Sequence, residues 1–347
     1  MRTTDDGSKL NSGSQSGGHR GKLMAELLDT TVTLADIQAA RGRIAKEIIR
    51  TPLAFSEAAS KRAGIPVYLK LESLQRTGTF KVRGALSKAT SIPPQDRQRG
   101  MVCASSGNHG LGVAYAASRV GVPCAVVLPE SANPHKMALL KELGAEVICH
   151  GATSDICLQK AQEISRQRGY TLIHPFADPY TIAGQGTVGL EVLEDLPEVA
   201  DVYASIGGGG LLSGVAAAIK QQRPEACIIG VEPEHANSMW LSLQQGKVVA
   251  LDQVRTVADG LAAKAISPIN LAHAQRYVHS VIVVSDKEIV EAMFFLLEQA
   301  KLLVEPSAAA SFAGLLANSA RRGPAVAIMS GGNVNLQQID GLRQMLS

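Results

Sequence analysis

The sequence is organised around one stretch, QRTGTFKVRGA at residues 75–85, in which a lysine directly follows an aromatic residue. The preceding Thr77, Gly78 and Thr79 are typical of a loop, and the residues after Lys81 can begin a helix. A lysine at such a junction lies near the positive end of the helix dipole, among partly apolar neighbours. Both effects lower the pKa of the amine and favour a neutral nucleophile that can form an imine. The alternative is an ordinary surface lysine.

Outward from this stretch, short apolar strands alternate with helices of about ten to fifteen residues. Strands are predicted at 67–72, 101–104, 124–128, 146–149, 201–206, 227–231, 281–284 and 325–329. The pattern also predicts a helix at 33–50 that Thr33 caps, and another at about 185–193. This alternation predicts an α/β fold with mostly parallel sheets flanked by helices.

Length and composition are those of an ordinary globular protein. The chain has 347 residues, enough for roughly two domains, and its formal net charge is +3. It has no basic cluster interleaved with aromatics and no apolar run that could span a bilayer, so we expect neither a nucleic-acid nor a membrane partner. Five cysteines without CxxC pairs indicate reduced thiols and a cytoplasmic location. We expect residues 1–22, rich in Gly and Ser, to form a disordered leader.

Three loops follow predicted strands, where open α/β sheets bind ligands. Four glycines at 207–210 let consecutive N–H groups converge at a helix start, which favours phosphate binding. A flexible turn is the alternative. The loop SSGNHG at 105–110 offers hydroxyls, an amide and backbone donors to a substrate carboxylate. A capped helix start, with Ser105 or Ser106 as the N-cap, is the bland alternative, and the two interpretations are compatible. The loop SGGN at 330–333 places a hydroxyl nearby.

The segment 184–189 satisfies GxGxxG, the dinucleotide-binding pattern, but no strong strand precedes it. We therefore interpret its glycines as sites of close helix packing.

Taken in order, these motifs resemble the pyridoxal-phosphate-dependent serine/threonine dehydratases of the tryptophan-synthase-β fold type (fold type II). Serine racemases belong to the same group. The resemblance runs from about Thr33 to the end of the chain and rests on these ordered motifs: TGTFKVRGA at 77–85, SSGNHG at 105–110, HPF at 174–176, IAGQGT at 182–187, GGGGL at 207–211, EPSAA at 305–309 and SGGN at 330–333.

The resemblance implies a role for each matching residue. Lys81 forms the imine with pyridoxal phosphate, and Ser106 is a second catalytic residue on the opposite face of the substrate. The other implied cofactor contacts are Phe80 beside the ring, Asn108 at the ring 3-oxygen, Gly207, Gly208, Gly209, Gly210 and Leu211 at the phosphate, Glu305 near the cofactor and Ser330 at the pyridine nitrogen. The implied contacts of the substrate carboxylate are Ser105, Ser106, Asn108 and His109.

The implied reaction removes water and then ammonia from a β-hydroxy-α-amino acid. A neutral hydroxyl at Ser330 does not enforce a charged ring, which favours elimination over transamination. Phe176 after His174 and Pro175 is similar to many threonine dehydratases. Serine, threonine, 3-hydroxyaspartate and phenylserine all remain open as substrates. An amino-acid racemase and a non-catalytic cofactor carrier are the alternatives.

The resemblance also implies features away from the reacting centre. Relatives with a divalent-metal site have an EPxxAxD-type segment, of which this chain keeps Glu232 and Ala236 but has Ser238 in place of the aspartate. A divalent or monovalent cation is therefore an open expectation. The implied domains are a small one at 100–175 inserted into a large one formed by 23–99 and 176–347. We also expect a homo-oligomer, a dimer or tetramer, and no regulatory domain after residue 347.

Overall fold

In a computed structural model, the structure describes residues 31–105, 107–132 and 134–346. The expected leader at 1–22 lies outside these residues. Within the described ranges the strands are β1 (Leu53–Phe55), β2 (Val67–Lys70), β3 (Met101–Ala104), β4 (Cys124–Leu128), β5 (Glu146–Cys149), β6 (Thr171–Leu172), β7 (Asp201–Ser205), β8 (Cys227–Pro233), β9 (Ser280–Val284) and β10 (Ala325–Ile328).

The helices of the described ranges surround these strands. They are α1 (Leu34–Ile44), α2 (Glu57–Ala63), α3 (Lys81–Ser91), α4 (Pro94–Arg97), α5 (Asn108–Val120), α6 (Pro134–Glu142), α7 (Ser154–Arg168), α8 (Pro179–Asp195), α9 (Gly210–Lys220), α10 (Ser238–Gln245), α11 (Pro268–Tyr277), α12 (Asp286–Glu298), α13 (Pro306–Ala317) and α14 (Ile339–Gln344). None of these helices has the length and apolar composition that a membrane span needs.

The strands form two sheets, as the α/β prediction requires. The larger has the order β1-β2-β10-β7-β8-β9, and the smaller has the order β5-β4-β3-β6. All pairings are parallel except that of β1 with β2. Because β7 and β10 are parallel neighbours, the loops that follow them lie at the same edge of the large sheet.

The central strands of each sheet are buried on both faces, which explains why β4, β7 and β10 are nearly continuous apolar runs. Along β7, Val202 and Ala204 pack with α8 and α9, whereas Tyr203 packs on the other face with α12 and α13. In the small sheet, Met101 and Cys103 face α3 and α5, and Val102 faces α7. Side chains thus alternate between two cores on either side of each strand.

Two predicted helix boundaries are wrong. The helix expected at 33–50 has the predicted Thr33 cap, with a capping box to Asp36, but it ends at Ile44. The helix expected at about 185–193 begins at Pro179, because the Asp178 side chain accepts from Thr181 N–H and proline suits a first helical position.

The GxGxxG segment lies inside α8, and its glycines are at helix contacts. A Cβ on Gly184 would come within 2.5 Å of the Arg83 carbonyl in α3. A Cβ on Gly186 would come within 2.9 Å of the Gly214 carbonyl, and one on Gly189 within 2.9 Å of Ala218, both in α9. The prediction of close helix packing is confirmed.

Candidate active site

Lys81 is the first residue of α3 and is partly buried. Its Nζ lies 3.2 Å from the Pro175 carbonyl oxygen and 5.2 Å from the centre of the Phe80 ring. Burial lowers the pKa of the Lys81 amine to about 8, although the nearby Glu305 carboxylate opposes the shift. About a tenth of this amine is therefore neutral at pH 7, far more than for an ordinary surface lysine with a pKa of 10.5.

A buried cluster of four charges holds α3 in place beneath Lys81. Arg83 Nε lies 2.7 Å from Glu72 Oε2, and Arg83 Nη1 lies 2.7 Å from Glu191 Oε1 in α8. Glu191 also pairs with Lys70 Nζ of β2, at 2.6 Å. Burial alone would lower the pKa of Arg83, but the two carboxylates outweigh it and raise that pKa. The positive and negative charges balance, so the cluster fixes the helix without an unpaired buried ion.

The four-glycine loop joins β7 to α9. Its N–H groups, from Gly207 to Gly210, find no hydrogen-bond acceptor among the described residues. Gly209 has φ of +91°, which favours glycine, and a Cβ on Gly208 would lie 2.1 Å from the Phe176 ring. The loop therefore presents unpaired donors at a helix N-terminus, which is the arrangement that binds anions.

The segment after β6 brings the lysine and the glycine loop together. The Pro175 carbonyl oxygen, which Lys81 contacts, would also lie 3.6 Å from a Cβ on Gly210. The Phe176 carbonyl accepts a hydrogen bond of 3.2 Å from Asn270 Nδ2 of α11. Asn270 is fully buried, so this contact fixes the position of Phe176 against the glycines.

Asn108, Glu305 and Asn333 form a hydrogen-bonded row beside the lysine. Asn108 Nδ2 donates to Glu305 Oε1 over 2.7 Å. Asn333 Nδ2 donates to Asn108 Oδ1 and to the Thr77 carbonyl, each over 2.9 Å. Ser330, which is almost fully buried, accepts from the Phe80 N–H at 3.1 Å through its carbonyl. The loops at 75–80 and 330–333 therefore meet at Asn108, the first residue of α5.

The expected carboxylate contacts are only partly described. Ser105 Oγ accepts from Gly107 N–H at 3.2 Å, and its backbone continues the pairing of β3 with β4. His109 is buried, and its Nε2 lies 2.9 Å from the Ile173 carbonyl. Burial and the Lys81 charge lower the pKa of His109 to about 3, so its imidazole is neutral. Ser106 lies outside the described residues.

The expected cation residues Glu232 and Ala236 lie away from this row, near the start of α10. The Glu232 carboxylate accepts from Met239 N–H at 2.9 Å and from Trp240 N–H at 2.8 Å. Burial raises the pKa of Glu232 to about 8, against the effect of these two hydrogen bonds. The hydroxyl of Ser238 is buried without a hydrogen-bond partner in the described residues. In those same residues, no group of three His, Cys, Asp or Glu side chains is placed to hold a metal ion.

Sequence reasoning assigned no part in the site to Pro175 as a lysine contact, to Asn270 or to Asn333. A carbonyl or an amide gives no sequence signal of its own, because either group is compatible with many environments. Only Asn333 had a usable signal, its place in the SGGN loop at a predicted strand end.

The chain is similar to proteins of known sequence and structure. Residues 44–331 match the family described as pyridoxal-phosphate dependent enzyme. The L-threonine ammonia-lyase of Thermotoga maritima is 42% identical over 310 residues, which cover 89% of this chain and 77% of that protein. The L-threo-3-hydroxyaspartate ammonia-lyase of Saccharomyces cerevisiae is 36% identical over 308 residues, covering 88% and 94%.

Among solved structures, maize serine racemase superposes with a TM-score of 0.86 at 34% identity, covering 91% of this chain and 98% of that one. The fold, the ordered motifs and the family match agree over nearly all of the described residues. The chain belongs to the pyridoxal-phosphate dependent enzyme family.

Proposed function

We propose that the protein is an ammonia-lyase that removes water and then ammonia from a β-hydroxy-α-amino acid. L-Threonine would give 2-oxobutanoate, and L-serine would give pyruvate. The proposal rests on one observation. The partly buried Lys81 amine, whose pKa is lowered, occurs in the same site as a glycine loop whose N–H groups have no acceptor among the described residues. The sequence similarity to L-threonine ammonia-lyase supports the reaction class.

The residues present fit pyridoxal phosphate. The unpaired donors at Gly207–Gly210 suit a phosphate, and Lys81 supplies the amine for covalent attachment. Phe80 lies beside the amine, and Asn108, Glu305 and Ser330 complete the proposed contacts with the ring. When bound, this cofactor withdraws electrons from the α-carbon of an amino acid and so acidifies its proton.

Lys81 is the proposed base for the α-proton. A pKa of about 8 leaves the amine able to accept a proton near neutral pH, and Glu305 stabilises its charged form. We assign the substrate carboxylate to the loop at 105–110, through Ser105, Ser106 and Asn108. His109 contributes to this loop as a neutral, buried ring whose Nε2 donates to the Ile173 carbonyl.

The racemase alternative needs a second acid on the other face of the substrate, a role that we assign to Ser106. A serine hydroxyl is a weak proton donor, so return of a proton to the α-carbon is slow. Departure of the β-hydroxyl followed by loss of ammonia is irreversible and therefore favours elimination. The deciding experiment incubates the protein with L-serine and follows pyruvate and D-serine in the same tube. We expect pyruvate to accumulate faster. Faster D-serine formation from the first minutes would replace the lyase by a racemase.

A panel of L-threonine, L-serine, L-threo-3-hydroxyaspartate and phenylserine, with detection of the 2-oxo acid, identifies the substrate. We expect turnover of L-threonine or L-serine. The matched control is Lys81→Ala, which should lose activity by several orders of magnitude because a covalent catalyst is removed. If the protein binds the cofactor visibly but turns over none of the four compounds, it is a carrier and the proposal fails.

The domain division expected from the resemblance stays a proposal. It is supported by the strands of the small sheet, which all lie between Met101 and Leu172. The dimer or tetramer also stays a proposal, which size-exclusion chromatography with light scattering tests. A cytoplasmic location agrees with five cysteines that are all described and all free.

The cation remains a proposal for the segment at Glu232 and Ala236. The Glu232 carboxylate already accepts two backbone hydrogen bonds, so a cation there would compete with the N-terminus of α10 for the same oxygens. Activity measured after removal of cations by a chelator and after return of Mg²⁺ or K⁺ tests it.

A further inference from the structure

We propose that Asn333 is a positioning residue that fixes the Asn108 amide so that one of its N–H bonds faces the cofactor. This inference rests on the cofactor contact of Asn108 that forms part of the proposed function. It assigns a role to a side chain that, by this geometry, acts through its neighbour.

The hydrogen bonds around Asn108 are directional. Its carbonyl oxygen accepts from Asn333 Nδ2 at 2.9 Å, and its Nδ2 donates to Glu305 Oε1 at 2.7 Å. Turning the amide by half a rotation would set its NH₂ against the donor of Asn333 and its oxygen against the carboxylate of Glu305. Both bonds would be lost, so the two neighbours specify one orientation. In that orientation one hydrogen of Asn108 Nδ2 goes to Glu305 and the second remains for a ligand.

The orientation of the Asn333 side-chain amide is itself fixed by its hydrogen bonds. Its Nδ2 carries two hydrogens, and both are used, one at Asn108 and the other at the Thr77 carbonyl, also at 2.9 Å. The loop that contains Gly78 passes close to Asn333. A Cβ on Gly78, whose φ is +72°, would lie 2.3 Å from Asn333 Oδ1. The Asn333 amide is therefore wedged between the lysine loop and Asn108.

The backbone around Asn333 is equally fixed. Gly332 N–H donates to the Gly78 carbonyl at 2.9 Å, and Phe80 N–H donates to the Ser330 carbonyl at 3.1 Å. These two bonds align the loop of Asn333 with the loop of Lys81. Asn108 belongs to a different part of the chain, the start of α5 that follows β3 of the small sheet. Asn333 thus connects the two sheets at the point where the lysine lies.

The test uses Asn333→Ala and the nearly isosteric Asn333→Asp, which replaces the donor by an acceptor facing two oxygens. Cofactor-free protein is titrated with pyridoxal phosphate, and the Kd and the visible absorption spectrum of the bound cofactor are recorded. We expect the Kd to rise by about tenfold or more, as the loss of a hydrogen bond to a partly buried group predicts. We also expect the ratio of the absorption bands to change, because this ratio responds to the donor at the ring oxygen.

Two further variants separate positioning from general damage. Asn335→Ala is a control in the same loop. Among the described residues, the Asn335 side chain accepts a single local bond, from Gln337 N–H, so this variant should leave the Kd and the spectrum unchanged. In an Asn108→Ala background, Asn333→Ala should add little to the change in Kd, because its effect runs through Asn108.

Wild-type Kd and spectrum in Asn333→Ala would overturn the proposal, and so would changes that add fully to those of Asn108→Ala. If Asn333→Asp does not fold, Asn333→Ala and the double variant still decide. These readouts need no turnover. A protein without lyase activity that shows the expected coupling would refute the proposed function and leave the role of Asn333 standing.

Discussion

At the scale of single residues, the state of the Lys81 amine sets how fast the protein can take up its cofactor. The pKa is lowered from 10.5 to about 8 by burial, so the neutral fraction rises about tenfold per pH unit up to about pH 8 and then levels off. The rate at which the visible band forms after adding pyridoxal phosphate to the cofactor-free protein should follow this curve. Free N-acetyl-lysine, the control, should keep accelerating toward pH 10. If the rate of band formation in the protein also kept rising to pH 10, the pKa of Lys81 would not be lowered.

The attachment point is tested separately by borohydride reduction and peptide mapping. We expect the pyridoxyl group on Lys81, because this amine is partly buried beside Phe80 and close to the glycine loop. Recovery of the group on another lysine would refute the assignment.

A third prediction at this scale concerns Gly208. In Gly208→Ala the new methyl group would overlap the Phe176 ring, 2.1 Å from the Cβ position. We expect a loss of about 1–3 kcal/mol in the free energy of unfolding, measured in urea, and weaker cofactor binding. In a Phe176→Ala background the ring is absent, so Gly208→Ala should cost much less stability there than in the unaltered protein. Equal effects of Gly208→Ala in both backgrounds would show that the clash is elsewhere.

At the scale of elements, the charged cluster joins β2, α3 and α8. Arg83→Met would leave Glu72 and Glu191 buried with only Lys70 to balance them. We expect the free energy of unfolding to fall by about 3–5 kcal/mol. Arg50→Met is the matched control, since this arginine pairs with Glu194 and Asp195 at the surface and its loss should cost less than about 1 kcal/mol. Similar losses in the two variants would contradict a structural role for the cluster.

The elements also show what the sequence could predict. The lysine loop and the glycine loop were predictable, because loop residues at the ends of apolar strands mark the ligand edge of a parallel sheet. The start of α8 at Pro179 was not predicted, because a proline after a polar residue is as typical of a turn as of a capped first helical position. The contact of Asn333 with Asn108 could not be predicted, because it depends on how two loops separated by 225 positions meet in space.

At the scale of the whole molecule, stability should fall in acid because buried imidazoles are neutral. His273 accepts from Val32 N–H and lies 2.7 Å from the Ile269 carbonyl, and burial lowers its pKa from 6.5 to about 4. The unfolded chain therefore binds a proton between pH 6.5 and 4 that the folded chain does not, and stability falls as the pH falls through this range. The contribution is about 3 kcal/mol.

Urea unfolding at pH 7, 5.5 and 4 measures this loss. His273→Gln keeps a donor and an acceptor but does not titrate, so its stability should decline less steeply with acid than that of the unaltered protein. Parallel declines would show that other groups, such as His109 with its pKa of about 3, account for the loss.

The glycines of α8 have a consequence for how the protein tolerates change. Where Gly184 meets Arg83 and Gly84, backbone touches backbone, and no flexible side chain lies between them to absorb a displacement. The helix that begins at Lys81, α3, is thus in direct backbone contact with α8. In a scan of all single substitutions, Gly184 should be as intolerant as Lys81 itself, although we assign it no contact with cofactor or substrate. Intolerance to substitution alone would therefore not distinguish the residues that carry out the reaction from the residues that hold α3 in position.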